Sequence, residues 1–175
     1  MASIVLIGFM GSGKTVVGQE IARRLGRPFV DTDTMVEAAA GMRIAEIFAR
    51  FGEAHFRALE REAIAELRAA YPAHDVVVAT GGGAMLDPEN RRRLREMGPI
   101  VCLDADVESI LARVGGDTSR PLLRSADVRA RVGALLAERE SVYAMADHRV
   151  DTSGRSVAAV ADAVLAKVAA AGAHG

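Results

Sequence analysis

Short apolar runs alternate with longer stretches of helical period along the whole chain. Ile4–Ile7 is a continuous apolar run with β-branched residues that stops at Gly8, the pattern of a strand buried on both faces. Residues 29–30, 76–79, 100–103 and, more weakly, 149–150 repeat it. Between these runs, residues 15–25 set Val16, Val17, Ile21 and Leu25 broadly along one side and stop at Gly26, before Pro28. Thr34-Met-Val-Glu37 has capping-box spacing, so a short helix is expected to open on Thr34 and close at Gly41. A longer helix from about 52 to 70 puts Phe56, Leu59, Ala63 and Leu67 on one face and ends before Pro72. Residues 88–97, polar and Arg-rich, 107–114, 128–145 and 157–171 complete the helical set. Short buried strands alternating with helices predict a three-layer α/β fold with a parallel sheet. No internal repeat or separating linker interrupts it, so residues 1–175 read as a single domain. Ligand chemistry in such a sheet belongs at the carboxyl ends of the strands.

Composition narrows the picture. A length of 175 residues suffices for a core without disulfides or structural metal. Hydrophobic residues reach 50%, but 33 of them are Ala and aromatics supply only 4%, so the core must be built from small and branched aliphatics. The formal charge of −1 argues against a nucleic acid or anionic membrane held by bulk charge. Cys102 is the single cysteine, which excludes an internal disulfide framework and a cysteine-based zinc cluster; in its apolar strand it reads as a small buried hydrophobe. His55, His74, His148 and His174 show no ligand spacing. No apolar stretch approaches the roughly 18 to 20 residues that span a bilayer, and the amino terminus has no basic leader pattern, so a cytoplasmic protein is expected. Among the cations, 20 are Arg and two are Lys, at Lys14 and Lys167, a bias that GC-rich coding alone would also give.

Gly8-Phe-Met-Gly-Ser-Gly13-Lys14-Thr15 matches G-x-x-x-x-G-K-[ST] in full, with a strand before it and an amphipathic helix after it. Glycines let backbone N–H groups close around phosphate oxygens, and the helix N-terminus adds positive potential. Lys14 is expected to reach the β and γ phosphates, and the Thr15 hydroxyl to ligate Mg²⁺. The motif reads as nucleoside triphosphate binding without naming the reaction.

Asp31-Thr32-Asp33 follows the second short strand, which puts both carboxylates near the phosphates. Phosphoryl transfer to a hydroxyl needs one carboxylate to orient the acceptor and another near the metal, although Asp33 could equally serve the start of the next helix. Arg57 has Glu53 and Glu60 at helical spacing. Such a set is either a solvated helix face or an arginine braced to grip an anion bidentately. Gly81, Gly82 and Gly83 end the third strand, either as a plain loop or as bare backbone N–H groups facing a ligand.

GFMGSGKT, DTD, IFARFGEAHFRALE, ATGGG, SRPLL and the segment Glu138-Arg139-Glu140…Tyr143 occur in the order seen in shikimate kinases, and the resemblance covers about residues 3 to 155. The phosphate loop is generic; DTD with GE-x-x-FR-x-x-E and TGGG is specific to that enzyme and its close relatives. The resemblance implies a P-loop kinase fold of the nucleoside-monophosphate-kinase-like group, with five parallel strands in the order 2-3-1-4-5. It also implies transfer of the ATP γ-phosphoryl to the 3-hydroxyl of shikimate, in chorismate and aromatic amino acid biosynthesis. ATP and Mg²⁺ are the implied cofactors, shikimate the small-molecule partner, and a monomer is expected.

By that likeness Asp33 would hold the shikimate hydroxyls and act as, or position, the base. Arg57 and Arg139 would pair with the substrate carboxylate, helped by the backbone of Gly81, Gly82 and Gly83, with Glu60 bracing Arg57 and Phe48 and Phe56 as apolar walls. The substrate subregion would span about 33–61. Lys14 and Arg120 would neutralise the transferring phosphoryl, and Gly11, Ser12, Gly13, Lys14, Thr15 and Val16 would bind the nucleotide. Asp31 would hold Mg²⁺ through water beside Thr15, and Arg113 would lie against adenine. Residues about 113–124, with Gly115, Gly116 and Arg120, would form a mobile lid; on residues alone, a solvated surface loop is the other reading. Family members often carry a proline after the last strand, whereas here the stretch is Thr152-Ser-Gly-Arg155-Ser, which leaves Arg155 as the candidate for the second half of the adenine site.

Two rivals stand beside this reading. A kinase for another small hydroxylated acid, such as gluconate, is disfavoured by two arginines with a triple glycine, which suit a compact cyclic acid. A nucleotide-binding module without catalysis is disfavoured by the intact set Lys14, Asp33 and Arg120.

Overall fold

The computed structural model describes residues 2–73, 75–114 and 127–172. The expected lid, with Arg120 and the SRPLL segment, therefore lies outside the described residues except at Arg113 and Val114. Strands β1 (Ile4–Ile7), β2 (Phe29–Asp31), β3 (Val77–Ala79), β4 (Ile100–Asp104) and β5 (His148–Asp151) form one sheet in the order β2-β3-β1-β4-β5. Every pairing is parallel, with Val5 opposite both Val78 and Ile100 and Val150 opposite Leu103. Seven α-helices are described: α1 (Lys14–Leu25), α2 (Thr32–Ala40), α3 (Ile44–Ala70), α4 (Pro88–Met97), α5 (Val107–Val114), α6 (Val128–Tyr143) and α7 (Val157–Gly172).

The continuous apolar runs are explained by their two covered faces. Ile4 and Leu6 pack with Val17 and Ile21 of α1 and Val160 and Val164 of α7. Val5 and Ile7, pointing the other way, pack with Ile64 and Leu67 of α3, Leu94 and Met97 of α4, and Val132 and Leu135 of α6. A third, smaller cluster of Val36, Ile47, Phe56 and Ala63 holds α2 against α3. Among the described residues, no helix is long and apolar enough to cross a membrane.

One local expectation is corrected. Thr34 is not the cap of α2; Asp31 is, because its carboxylate, at the end of an extended strand, accepts from the Asp33 amide at 2.9 Å. Glu37, the supposed capping partner, instead accepts from the Ile44 amide at 3.0 Å and secures the start of α3. The span of α3 is two helices that meet at a kink, a first from Ile44, which the sequence pattern does not predict, and a second that begins near Gly52, as expected. Gly52 is the kink, at φ 80° and ψ 174°, a conformation open to glycine because it lacks a Cβ.

Two glycines in this fold should respond oppositely to a methyl group. A Cβ at Gly98 would stand 2.0 Å from the Ser3 carbonyl oxygen, a backbone atom at the entry to β1. Gly98→Ala is expected to lower the unfolding free energy by about 1–3 kcal/mol. Gly133, inside α6, would meet nothing within 4 Å, and Gly133→Ala is expected to raise it by about 0.5–1 kcal/mol. Urea denaturation with an unchanged m-value checks both signs.

Candidate active site

The phosphate loop runs from the end of β1 to the start of α1. Gly8 has φ 138°, and a Cβ there would lie 2.4 Å from the Leu103 carbonyl oxygen of β4. Gly11 and Gly13 also have positive φ, at 73° and 92°, the kind of turn that gathers amide groups around an anion. Gly13 caps α1 without any side-chain hydrogen bond, so the first-turn amides are left to a ligand. Ser12 is buried, and the Lys14 ammonium donates to the carbonyls of Gly8 and Phe9, both at 2.8 Å. Val16 stands on the exposed side of the first turn.

The Thr15 hydroxyl donates to Asp31 Oδ2 at 2.9 Å, while Asp31 Oδ1 receives the Asp33 amide. One hydroxyl and one carboxylate of hard oxygen character thus meet beside the phosphate loop. Among the described residues, no group of three or more His, Cys, Asp or Glu is arranged to hold a metal. Such a sparse oxygen set suits Mg²⁺, which keeps most of its waters and takes one or two protein ligands together with phosphate oxygens.

Next to the loop lies a cavity of about 270 Å³, lined by Asp33, Phe48, Phe56, Arg57, Glu60, Gly81, Gly82, Gly83 and Arg139. All the residues expected at the acceptor side are therefore brought to one place, although Asp33 and Arg139 are far apart in the chain. Phe48 and Phe56 contact each other, with ring centroids 4.8 Å apart.

The triple glycine works by leaving room. A Cβ at Gly81 would stand 2.7 Å from Asp33 Oδ1 and 2.8 Å from Glu60 Oε1. At Gly83 it would strike the Arg57 guanidinium at 2.6 Å, and at Gly82 it would sit 3.3 Å from Arg139 and 3.4 Å from the Gly8 carbonyl oxygen. Four charged side chains and the phosphate loop close on these glycines. The expectation of bare amides needs one correction: the Gly81 N–H is already taken, donating to Thr32 Oγ1 at 3.1 Å.

Arg57 donates to Glu60 at 2.9 Å and to Glu53 at 3.3 Å. The Glu60 side chain is only 1% exposed, so the solvated-face alternative is excluded on that side. Burial pushes the Glu60 carboxyl above its ordinary range, with Arg57 opposing. Burial also works against the Arg57 charge, but the carboxylates more than offset it and hold the guanidinium above its ordinary value. Glu60 Oε1 is buried without a hydrogen-bond partner in the cavity wall. Arg139 is 6% exposed, with its guanidinium carbon 5.2 Å from the centroid of the Phe9 ring. Its helix is held to the sheet by Arg149, which pairs with both Asp104 of β4 and Glu140 of α6.

Arg113 donates to the Gly11 carbonyl at 2.9 Å and to Thr152 at 3.0 and 3.1 Å, spanning the phosphate loop and the segment after β5. Arg155 is turned onto the carbonyls of Asp151 and Ala159, both at 3.1 Å. The sequence patterns gave no site role to Thr32 and Met10, although each lies inside a motif, nor to Thr152 and the cavity-lining Glu37 and Arg43. Glu37 carried a signal, its capping spacing, that pointed to a different partner.

A family model described as Shikimate kinase matches residues 10–169. A shikimate kinase of Moorella thermoacetica is 52% identical over 159 residues, covering 91% of this chain and 90% of that one. One of Geobacter sulfurreducens is 50% identical over 155 residues, covering 89% and 84%. The solved shikimate kinase of Acinetobacter baumannii in complex with shikimate superposes with a TM-score of 0.92 at 34% identity, covering 97% of this chain and 94% of that one. A gluconokinase of Sinorhizobium meliloti, at 21% identity and a TM-score of 0.55, shares the fold alone.

The Glu60 environment has a consequence for stability. Its folded pKa lies above the ordinary 4.5, so its contribution is full below that value and lost as pH rises through the folded one. The unfolding free energy of the native protein relative to Glu60→Gln is therefore expected to fall as pH rises above the ordinary carboxylate range. Urea titrations at several pH values check this, and a difference that grows with pH would overturn it.

Proposed function

This chain belongs to the shikimate kinase family, and we propose that it transfers the γ-phosphoryl group of ATP to the 3-hydroxyl of shikimate, giving shikimate 3-phosphate and ADP. The observation that carries this reading is the cavity in which Asp33 and two arginines meet directly beside the phosphate loop. A cyclic acid with several hydroxyls matches such a lining: cations for its carboxylate, carboxylates for its hydroxyls, and the Phe48–Phe56 wall for its ring.

In this reading Arg57 and Arg139 hold the substrate carboxylate, which turns the opposite edge of the ring toward Asp33 and the phosphate loop. The 3-hydroxyl oxygen forms a bond to the γ-phosphorus while the bond to the β–γ bridging oxygen breaks, and the hydroxyl proton passes to Asp33. Lys14, reoriented from the loop carbonyls, neutralises charge on the transferring group together with Arg120. Thr15 and Asp31 would hold Mg²⁺, whose part is to offset phosphate charge. Gly11, Ser12, Gly13 and Val16 complete the nucleotide site, and Arg113 and Arg155 flank the adenine end. We take residues 1–175 as one kinase domain with an acceptor subregion at about 33–61 and a lid at about 113–124, acting as a monomer in the cytoplasm. The buried thiol of Cys102, pushed up to about 12 by burial, is inert and suits a reducing compartment.

A coupled assay of ADP release decides the reaction: shikimate-dependent turnover is expected, and ATP binding with no transfer from folded protein would leave only a nucleotide-binding module. Asp33→Asn is expected to lower kcat by about 10²–10⁴ with ATP affinity kept, as calorimetry would show. Arg57→Lys keeps a cation beside Glu60 but loses the fork. It and Arg139→Ala are expected to raise the shikimate KM about 10- to 100-fold, with the ATP KM little changed. An unmoved shikimate KM in either variant would remove that arginine from the carboxylate site.

A further inference from the structure

We propose that Tyr143 is a positioning residue for the substrate carboxylate, its buried hydroxyl fixing the Gly82–Gly83 peptide against which the Arg139 guanidinium lies. The inference rests on the reading of the acceptor site given above and adds a residue to it. Arg139 and Tyr143 stand four residues apart on α6 and so share a face of that helix. Both are nearly inaccessible, at 6% and 3% exposure. The Tyr143 hydroxyl donates to the Gly82 carbonyl at 2.6 Å. Arg139 stands beside the same glycine, its Nη1 3.3 Å from where a Gly82 Cβ would be, and its charge acts on the phenol.

The need for such an anchor follows from the glycines. Three in succession leave the backbone with little rotational restraint, and no Cβ can be spared because charged side chains occupy the space. The loop must therefore be held from outside. Thr32 holds the Gly81 amide on one side, and Tyr143 holds the Gly82 carbonyl on the other. Because the peptide is trans, holding the Gly82 carbonyl toward α6 directs the Gly83 N–H away from it. The phenol thus sets the direction of a loop amide at the glycine against which the Arg139 guanidinium lies. Burial pushes the phenol up to about 12, against the pull of Arg139, so it remains a donor throughout the neutral range.

Tyr143→Phe keeps the ring and its packing while deleting only the hydroxyl. Steady-state kinetics should show the shikimate KM rising about 5- to 20-fold, with kcat and the ATP KM within about twofold of the native values. The inhibition constant of the shikimate carboxamide, which has the same ring but no anionic charge, should move less than about twofold. An unchanged shikimate KM, or equal losses for the acid and the carboxamide, would overturn the proposal, since packing damage alone would not discriminate charge. Native protein with no shikimate-dependent ADP release would instead remove the reaction, and this inference with it, so the two failures are told apart.

Discussion

The acceptor half of the molecule is organised around the buried ion pair between Arg57 and Glu60. A carboxylate with 1% exposure is tolerated only beside a cation, since removing either partner strands a charge away from water. The two residues lie three apart, so α3 must be helical where they stand, and Gly83 must lack a side chain where the guanidinium lies against it. The bend at Gly52 then lets the first part of α3 fold back so that Ile47 joins Val36 and Phe56. That cluster is small, and charge complementarity rather than apolar area sets the geometry of the cavity.

The other half depends on the parallel sheet. Because β1, β2 and β3 run the same way, their carboxyl ends deliver Gly8, Asp31 and Thr80 to one edge, and the helix after each strand starts or closes there. Asp31 is the joint between the two halves. One of its oxygens accepts from Thr15 at the start of α1, and the other caps α2. A single carboxylate thus registers the phosphate loop against the helix that carries Asp33.

Much of this is legible in the amino-acid sequence. The strands are visible there because both faces are covered, which leaves unbroken apolar runs such as Ile4–Ile7. The phosphate loop is visible because its chemistry needs contiguous residues. The acceptor site is legible as a set of motifs, and the likeness to shikimate kinases supplies the strand order. The features that stay hidden in the sequence have common physical causes. The helix from Gly52 onward is legible in the sequence, but the one from Ile44 up to the kink at Gly52 is not. Thr34 and Glu37 have the spacing of a cap, but Asp31 reaches the amides first. The role of Gly81, Gly82 and Gly83 depends on side chains from three other elements, so nothing near them in the chain announces it. Thr32 and Tyr143 act through one hydroxyl each on a distant backbone atom, a contact that leaves no periodic trace.

Phe9 sits where these two halves touch. Its carbonyl receives the Lys14 ammonium at 2.8 Å, and its ring faces the Arg139 guanidinium. The variable position of a generic nucleotide motif is thereby claimed twice, once through the backbone by the donor side and once through the ring by the acceptor side. Any residue here keeps the carbonyl that Lys14 uses, so a substitution acts through the ring, on the side of Arg139. The freedom that the letter x suggests in the motif is, in this chain, already spent.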